Sequence, residues 1–477
     1  MASFCAWHSP VHKLGQSLSR CALVPLHSSV SIRRPAALQL VMEGRASAGS
    51  PRRILVVSGP TASGKSDLAM AVAVEMRRRG LQPEIVVADS VQVYEELTIG
   101  SNKPSLDEQR AVRHHLVDAW SLRRDKPISA GQYFDAAVAV IHDVLQRGAV
   151  PIVVGGTMMY IRWLVFGKPA APPSDPKVRA EADAMIGSAG GDWDKALKIL
   201  ADRDPVRASQ MTRNDWYRLS RSLEIFLETG QSFDTFSHSG AVPRLIKEQP
   251  GLARTDVTRD IASQEARGVG YGPFESQCYF ISGPRTPLYE RIDRRCEQML
   301  ENGLLEEVGH LCINSLLMKD SSVGRAIGYR QTIEFLEKLA KLVCTDGNEE
   351  ERLKAFREYL TDFKTASRNY AGAQAKWFRK EKKFIWIPIA KPADVACHAD
   401  SIAENYMLSD SEWQSKVDAL SEEQDLLRKE TYDRAVLRKM KLYREHFGTL
   451  VPGSDVEAAL VSRAQRLAEE WTRVLDA

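Results

Sequence analysis

No two of the seven cysteines (Cys5, Cys21, Cys278, Cys296, Cys312, Cys344 and Cys397) stand at CxxC spacing. That excludes a zinc ribbon, a zinc finger and a redox dithiol, and the odd count speaks against a disulfide framework. Long apolar runs are missing too, so no segment is built to cross a bilayer as a helix and no membrane role is expected. A strong charge excess is also lacking. The formal net charge is +3, so any surface that binds a polyanion has to be local. Acids are nearly missing from one place. Between Met1 and Arg53, Glu43 alone faces Lys13, Arg20, Arg33, Arg34, Arg45, Arg52 and Arg53, with serine and alanine frequent. Residues 1–51 therefore read as a transit peptide for a mitochondrion or plastid.

What is present is ordinary for a globular chain. Of 477 residues, 44% are apolar and 27% charged, enough for two or three domains with their own cores. The stretch "RRILVVSG" reads as a strand, and "SDLAMAVAVEMRRRG" reads as a helix with Leu68, Val72 and Met76 on one face. Between them lies "GPTASGKS", which satisfies the phosphate-loop pattern through Gly59, Gly64, Lys65 and Ser66. In a strand–loop–helix context the loop N–H groups, including those of Thr61, Ala62 and Ser63, face an anion together with the helix N-terminus. Lys65 adds a point charge, and the Ser66 hydroxyl can reach Mg²⁺.

Four further strands are expected, "EIVVADS", "PIVVGGT", "CYFISG" and "KFIWIPI", with helical patterns between them. The alternation implies an α/β fold: a P-loop NTPase-like parallel sheet flanked by helices, with its ligand at the carboxyl ends of the strands. Residues 52–164 and 278–390 make up this core. An all-helical domain is inserted at 165–230, followed by a loop-rich insert at 231–277 and a charged helical extension at 391–477. In "ERIDRRCEQMLENGLLEEVGHL" the residues Met299, Leu300, Leu304, Val308 and Leu311 share one face, and the Glu-rich opposite face reads as solvated. From Arg352 to Trp386 ten basic residues, Lys364 and Arg368 among them, face three acids beside Tyr370, Trp377 and Phe378, a composition suited to a phosphate backbone and stacked bases.

Asp89 closes an apolar strand, where a Walker-B aspartate would hold magnesium. Read together, "GPTASGKS", "ADSVQVYEELTIGSNKPS", "HHLVD", "VGGTMMYI", "NDWYRLSRSLEIFLETG", "AIGYRQ" and "QAKWFR" resemble the tRNA dimethylallyltransferases, in order, from about Ile54 to Ile387. The resemblance implies transfer of a dimethylallyl group from dimethylallyl diphosphate, with Mg²⁺, to N6 of the adenine 3′ of a tRNA anticodon. It makes Asp89 the general base, has Thr157 help to hold donor and acceptor, and has Arg221 grip the diphosphate. Contacts to the anticodon stem-loop are implied for Ser90, Val91, Gln92, Arg179, Tyr217, Arg218, Arg325, Gly328, Tyr329, Arg330, Gln374, Lys376, Trp377 and Arg379. The family carries Lys-Arg before that glutamine, where Gly372 and Ala373 stand here. Acting on one tRNA needs no second subunit, so a monomer is expected. The rival readings are an adenylate isopentenyltransferase acting on free AMP, ADP or ATP, a small-molecule kinase, and a non-catalytic RNA-binding protein.

Overall fold

The computed structural model describes residues 53–237, 272–345, 347–430, 443–445 and 447–475. The proposed leader and most of the insert at 231–277 lie outside the described residues.

Six strands form one sheet: β1 (Arg53–Ser58), β2 (Pro83–Ala88), β3 (His114–His115), β4 (Val150–Gly155), β5 (Glu275–Ser282) and β6 (Phe384–Pro388). The order is β3-β2-β4-β1-β5-β6 and every pairing is parallel. The two-residue β3 was not expected from sequence. It is too short to show a period and is held by Ile85 and Val86 of β2. Because both faces are covered, the strands read as unbroken apolar runs. Alternate residues feed two cores. Val56, Val86, Val153, Phe280 and Trp386 face the larger one, while Leu55, Val57, Ile152, Tyr279 and Ile385 face the smaller.

The smaller core is closed by the helix Lys65–Arg78 and by Pro392–Tyr406, through Leu68, Val72, Met76, Ala399, Ile402 and Ala403. The larger core gathers the helices Ala130–Gln146, Met158–Phe166, Arg285–Glu301, Leu304–Ile313, Tyr329–Cys344 and Glu349–Phe378. Its outer side is sealed by Asp455–Leu475, which buries Leu460, Val461, Ala464, Leu467 and Ala468. The segment after residue 391 thus enters both cores.

Helices Pro176–Gly187, Trp193–Ala201, Pro205–Ser209 and Trp216–Thr229 pack on one another around Ala182, Trp193, Leu200, Leu219 and Leu223. Asp175, Asp192, Asp204 and Asp215 start them, each accepting backbone N–H bonds of the first turn.

The Glu-rich face of Arg285–Glu301 and Leu304–Ile313 departs from expectation. Glu297 is fully buried, and Glu307 accepts the backbone N–H groups of Thr98, Ile99 and Gly100 at 2.8, 2.7 and 3.1 Å. These carboxylates serve chain segments remote in sequence, which a helical pattern does not reveal.

Candidate active site

The phosphate loop leaves β1 at Ser58 and turns into the helix at Gly64, whose φ of 89° suits a residue without Cβ. No side chain caps that helix, so its first N–H groups are open to an anion. Ala62 also takes a left-handed conformation, with φ 59°. The Lys65 ammonium donates to Pro60 O at 2.7 Å. Burial of that ammonium, then the nearby Arg295 guanidinium, pushes Lys65 down to about 7, against the pull of Asp89.

Asp89 and Thr157 follow β2 and β4, adjacent strands, which brings them together. Asp89 Oδ1 accepts from the N–H groups of Val91 at 2.9 Å and Gln92 at 3.3 Å. This local turn fixes the carboxylate and leaves Oδ2 for another partner. Thr157 Oγ1 accepts from Ser90 N–H at 3.0 Å, tying the two loops.

The glycines before Thr157 answer to close approach. A Cβ on Gly155 would lie 2.1 Å from Ala88 O, and one on Gly156 would lie 2.4 Å from Gln374 Nε2. Gln374 accepts from Thr61 N–H at 2.8 Å and donates to Gly156 O at 2.9 Å. One amide therefore joins the phosphate loop to the Gly-Gly-Thr loop.

Thr61, Ala62, Asp89, Ser90, Thr157 and Arg325 share one cavity of about 500 Å³. Tyr94, Tyr160 and Tyr370 supply flat aromatic surface to it, and Ile292, Cys296 and Met299 supply an apolar wall. Burial raises Tyr160 and Tyr370 above their ordinary range, so both stay neutral donors. A second recess of about 50 Å³, also lined by Asp89, takes in Lys65, Ser66, Gln92 and His114.

The other implied tRNA contacts divide. Tyr217, Arg218, Arg330 and Lys376 are exposed, and Trp377 and Arg379 are half-buried at the end of the long helix. Arg179 sits over the Tyr217 ring at 5.7 Å. Three residues need correcting as RNA contacts. Gln374, Gly328 and Tyr329 are buried, Gln374 in the bridge above and Tyr329 with its hydroxyl on Glu307 at 2.7 Å. The basic run is thinned in the same way. Lys364 is buried against Glu297 at 2.8 Å, Arg368 pairs with Asp293, and Arg357 makes two bonds to Glu457. Their partners lie outside the run, so counting charge within it overstates the surface.

Arg221 is not brought to the cavity. It pairs with buried Glu224 at 2.6 Å and donates to Pro172 O. Glu224 also takes Arg179 at 3.5 Å and the Ser174 hydroxyl at 2.5 Å.

Sequence reasoning passed over Arg291 and Arg295. Arg291 Nε donates to Ala62 O at 3.2 Å, and Arg295 Nη1 donates to Thr61 Oγ1 at 3.1 Å. Their spacing of four on a helix with an apolar face was the available signal.

The family model described as "IPP transferase" matches residues 92–381. The chain belongs to the IPP transferase family. It is 40% identical over 350 residues to a protein of Arabidopsis thaliana named tRNA dimethylallyltransferase 9, covering 72% of each chain. A Protochlamydia amoebophila protein named tRNA dimethylallyltransferase is 33% identical over 362 residues, 76% of this chain and 89% of that one. A solved structure of a eukaryotic dimethylallyltransferase acting on tRNA has the same fold, with a TM-score of 0.55 at 22% identity over 74% of this chain and 79% of the other. The region so matched holds Thr157, both arginines and Gln374, while the phosphate loop and Asp89 precede it and the final helix lies beyond it.

Proposed function

We infer that this chain is a tRNA dimethylallyltransferase, and we propose that dimethylallyl diphosphate is its donor and N6 of the adenine 3′ of the anticodon its acceptor. The observation that carries the reading is the shared cavity, in which the phosphate-loop crest faces the Asp89 carboxylate across a space lined by tyrosines. A diphosphate and an adenine amino group have to meet in just such an arrangement.

The adenine leaves the stacked anticodon loop and lies against the aromatic wall. Its N6 lone pair forms a bond to C1 of the donor as the C1–O bond breaks. The bonding electrons depart with the diphosphate, and the N6 proton passes to Asp89 Oδ2. The loop N–H groups and Lys65 stabilise charge that grows on the leaving group. Ser66, in the recess it shares with Lys65 and Asp89, would hold Mg²⁺, which would supply further neutralisation of that charge.

The anticodon stem-loop is supported by the exposed Tyr217, Arg218, Arg330 and Lys376, which free AMP would not require. The protein acts as a monomer, and its acid-poor leader directs it to a mitochondrion or plastid. Fluorescent protein fused to residues 1–51 tests the address, and light scattering tests the monomer.

Label transfer from dimethylallyl diphosphate tests the function, offering an anticodon stem-loop with adenine at the target, one with guanine there, and AMP. The adenine loop alone should take label, with loss after chelation and recovery with Mg²⁺. Asp89→Asn should lower the rate by about 10²–10⁴. Label on AMP and not on RNA would overturn the acceptor assignment.

A further inference from the structure

Tyr94, Tyr160 and Tyr370 line the cavity, and two of the three have their hydroxyls engaged. The Tyr94 oxygen accepts the Ile128 N–H at 2.9 Å, and the Tyr370 hydroxyl donates to Gly156 O at 3.4 Å. Tyr160 differs. It is only 5% exposed, yet among the described residues its hydroxyl meets no hydrogen-bond partner. Leaving a buried hydroxyl unpaired is costly, and a site that keeps one normally receives the partner with its ligand.

The ring is also held in one orientation. Tyr133 stacks on it with centroids 3.7 Å apart and planes inclined by 5°, and the Tyr133 hydroxyl donates to Val87 O at 2.9 Å. Val87 lies on β2 two residues before Asp89, so the strand that ends in the carboxylate also anchors the stack. Tyr160 stands one helical turn after Thr157, whose hydroxyl ties the loops of β2 and β4 through Ser90. Burial, then the neighbouring Tyr94 and Asp89, raises Tyr160 above its ordinary value, so the phenol keeps its proton as a donor.

We propose that the Tyr160 hydroxyl donates a hydrogen bond to a ring nitrogen beside N6, either N1 or N7, of the flipped adenine. This rests on the adenine acceptor proposed above. The Asp89 carboxylate can only accept, so it holds the amino group by its N–H. A donor beside it completes the pattern of an adenine edge, where an amino group stands between two ring acceptors. Stacking on the tyrosines alone would admit any base. Two contacts in the plane of the base fix its rotation, so N6 meets the donor carbon in one pose.

A merely structural role makes Tyr160 a packing partner of Tyr133, and phenylalanine would serve that purpose equally. Tyr160→Phe keeps the ring and the stack and removes the donor alone. In full-length protein with saturating dimethylallyl diphosphate it should lower kcat/KM for the adenine stem-loop by about tenfold. Affinity for inorganic diphosphate, followed by calorimetry, should stay within about twofold of wild type. Stem-loops with 1-deazaadenine or 7-deazaadenine at the target locate the acceptor atom. One of them should cost the wild type about tenfold and cost Tyr160→Phe nothing further, because the bond is already lost. The other should slow both proteins by one common factor. Coupling to 1-deazaadenine assigns N1, and coupling to 7-deazaadenine assigns N7.

Wild-type kcat/KM in a folded Tyr160→Phe would overturn the proposal and leave adenine as the acceptor. So would losses that add independently for both deaza loops, since the hydroxyl would then act elsewhere than on the ring. A fall in diphosphate affinity as large as that in kcat/KM would overturn it in favour of a contact to the donor. If the wild type labels no adenine loop, the acceptor reading fails and the proposal falls with it.

Discussion

Replacing Gln374 by alanine should slow transfer without weakening tRNA binding. Its amide accepts from Thr61 N–H and donates to Gly156 O, at 2.8 and 2.9 Å, from a buried position on the helix Glu349–Phe378. Truncation leaves the Thr61 N–H without a partner and leaves Gly156 O with only the Tyr370 hydroxyl at 3.4 Å. At about 1–3 kcal/mol for an unsatisfied group, the loss from Thr61 alone is about 1–3 kcal/mol before any rehydration from the cavity. The lower half of that range is expected, because Thr61 borders the cavity and water can reach it. The bridge also sets the gap between the diphosphate cradle and the loop that carries Thr157. A shift of about 1 Å there costs about 10²-fold in rate. Gln374→Glu separates the two halves of the bond pair. It keeps an acceptor for Thr61 N–H but sets a carboxylate oxygen against Gly156 O, so it should be at least as slow as Gln374→Ala. Denaturant unfolding gives the stability change, and single-turnover transfer with saturating stem-loop gives the rate. A Gln374→Ala protein with unaltered stability and rate but weakened stem-loop binding would refute the bridge and restore Gln374 to the RNA surface.

Four other outcomes follow from the geometry. Gly156→Ala places a methyl within 2.4 Å of Gln374 Nε2 and should mimic loss of the bridge in single-turnover assays. Lys364→Met leaves the Glu297 carboxylate buried without its ammonium and should destabilise the fold by about 3–5 kcal/mol in denaturant. Burial acts to raise Glu297, yet Lys364 and the N–H groups of Thr449 and Leu450 hold it below its ordinary value. Its stabilising effect is therefore full above the unfolded carboxylate pKa of about 4.3 and lost as pH falls through the folded one. Unfolding free energy should drop below that pH in the wild type, and less steeply in Glu297→Gln. Glu224→Gln removes the charge that pairs Arg179 and Arg221. Stem-loop affinity should change more than the donor KM, which titrations of each substrate would distinguish.

The catalytic frame was legible because strand, loop and helix are local. A run such as Ile54–Val57 announces a strand covered on both sides, and Gly59 to Ser66 announces the anion cradle that ends it. Asp89 and Thr157 could be placed at strand ends for the same reason, although their adjacency depends on β2 and β4 being neighbours. What stayed hidden depends on partners far along the chain. Lys364 looks like a surface cation until Glu297 is set against it, 67 residues away. Gln374 looks like part of an RNA-binding motif until Thr61 and Gly156 occupy both ends of its amide. Arg295 sits in a charged helical pattern in which each neighbour has an ordinary reason to be solvated. The resemblance to a family assigned roles by motif and so carried buried Tyr329 and Gln374 along with exposed Lys376.

Glu297 accepts the N–H groups of Gly448, Thr449 and Leu450, and Asp293 accepts the Tyr443 hydroxyl at 2.9 Å. Both acids stand on the helix that brings Arg291 and Arg295 to the loop. The ribosome therefore releases every residue assigned here to chemistry, with the Lys364 and Arg368 that neutralise the two acids, before these further donors emerge. The sheet can assemble during synthesis, but the helix opposite the phosphate loop reaches its final environment only after residue 450 has been made. A premature stop near residue 430 would spare every catalytic motif and both ion pairs, and still leave the two carboxylates without these donors. Such an allele should accumulate poorly and behave as a null, although a list of its motifs would look complete.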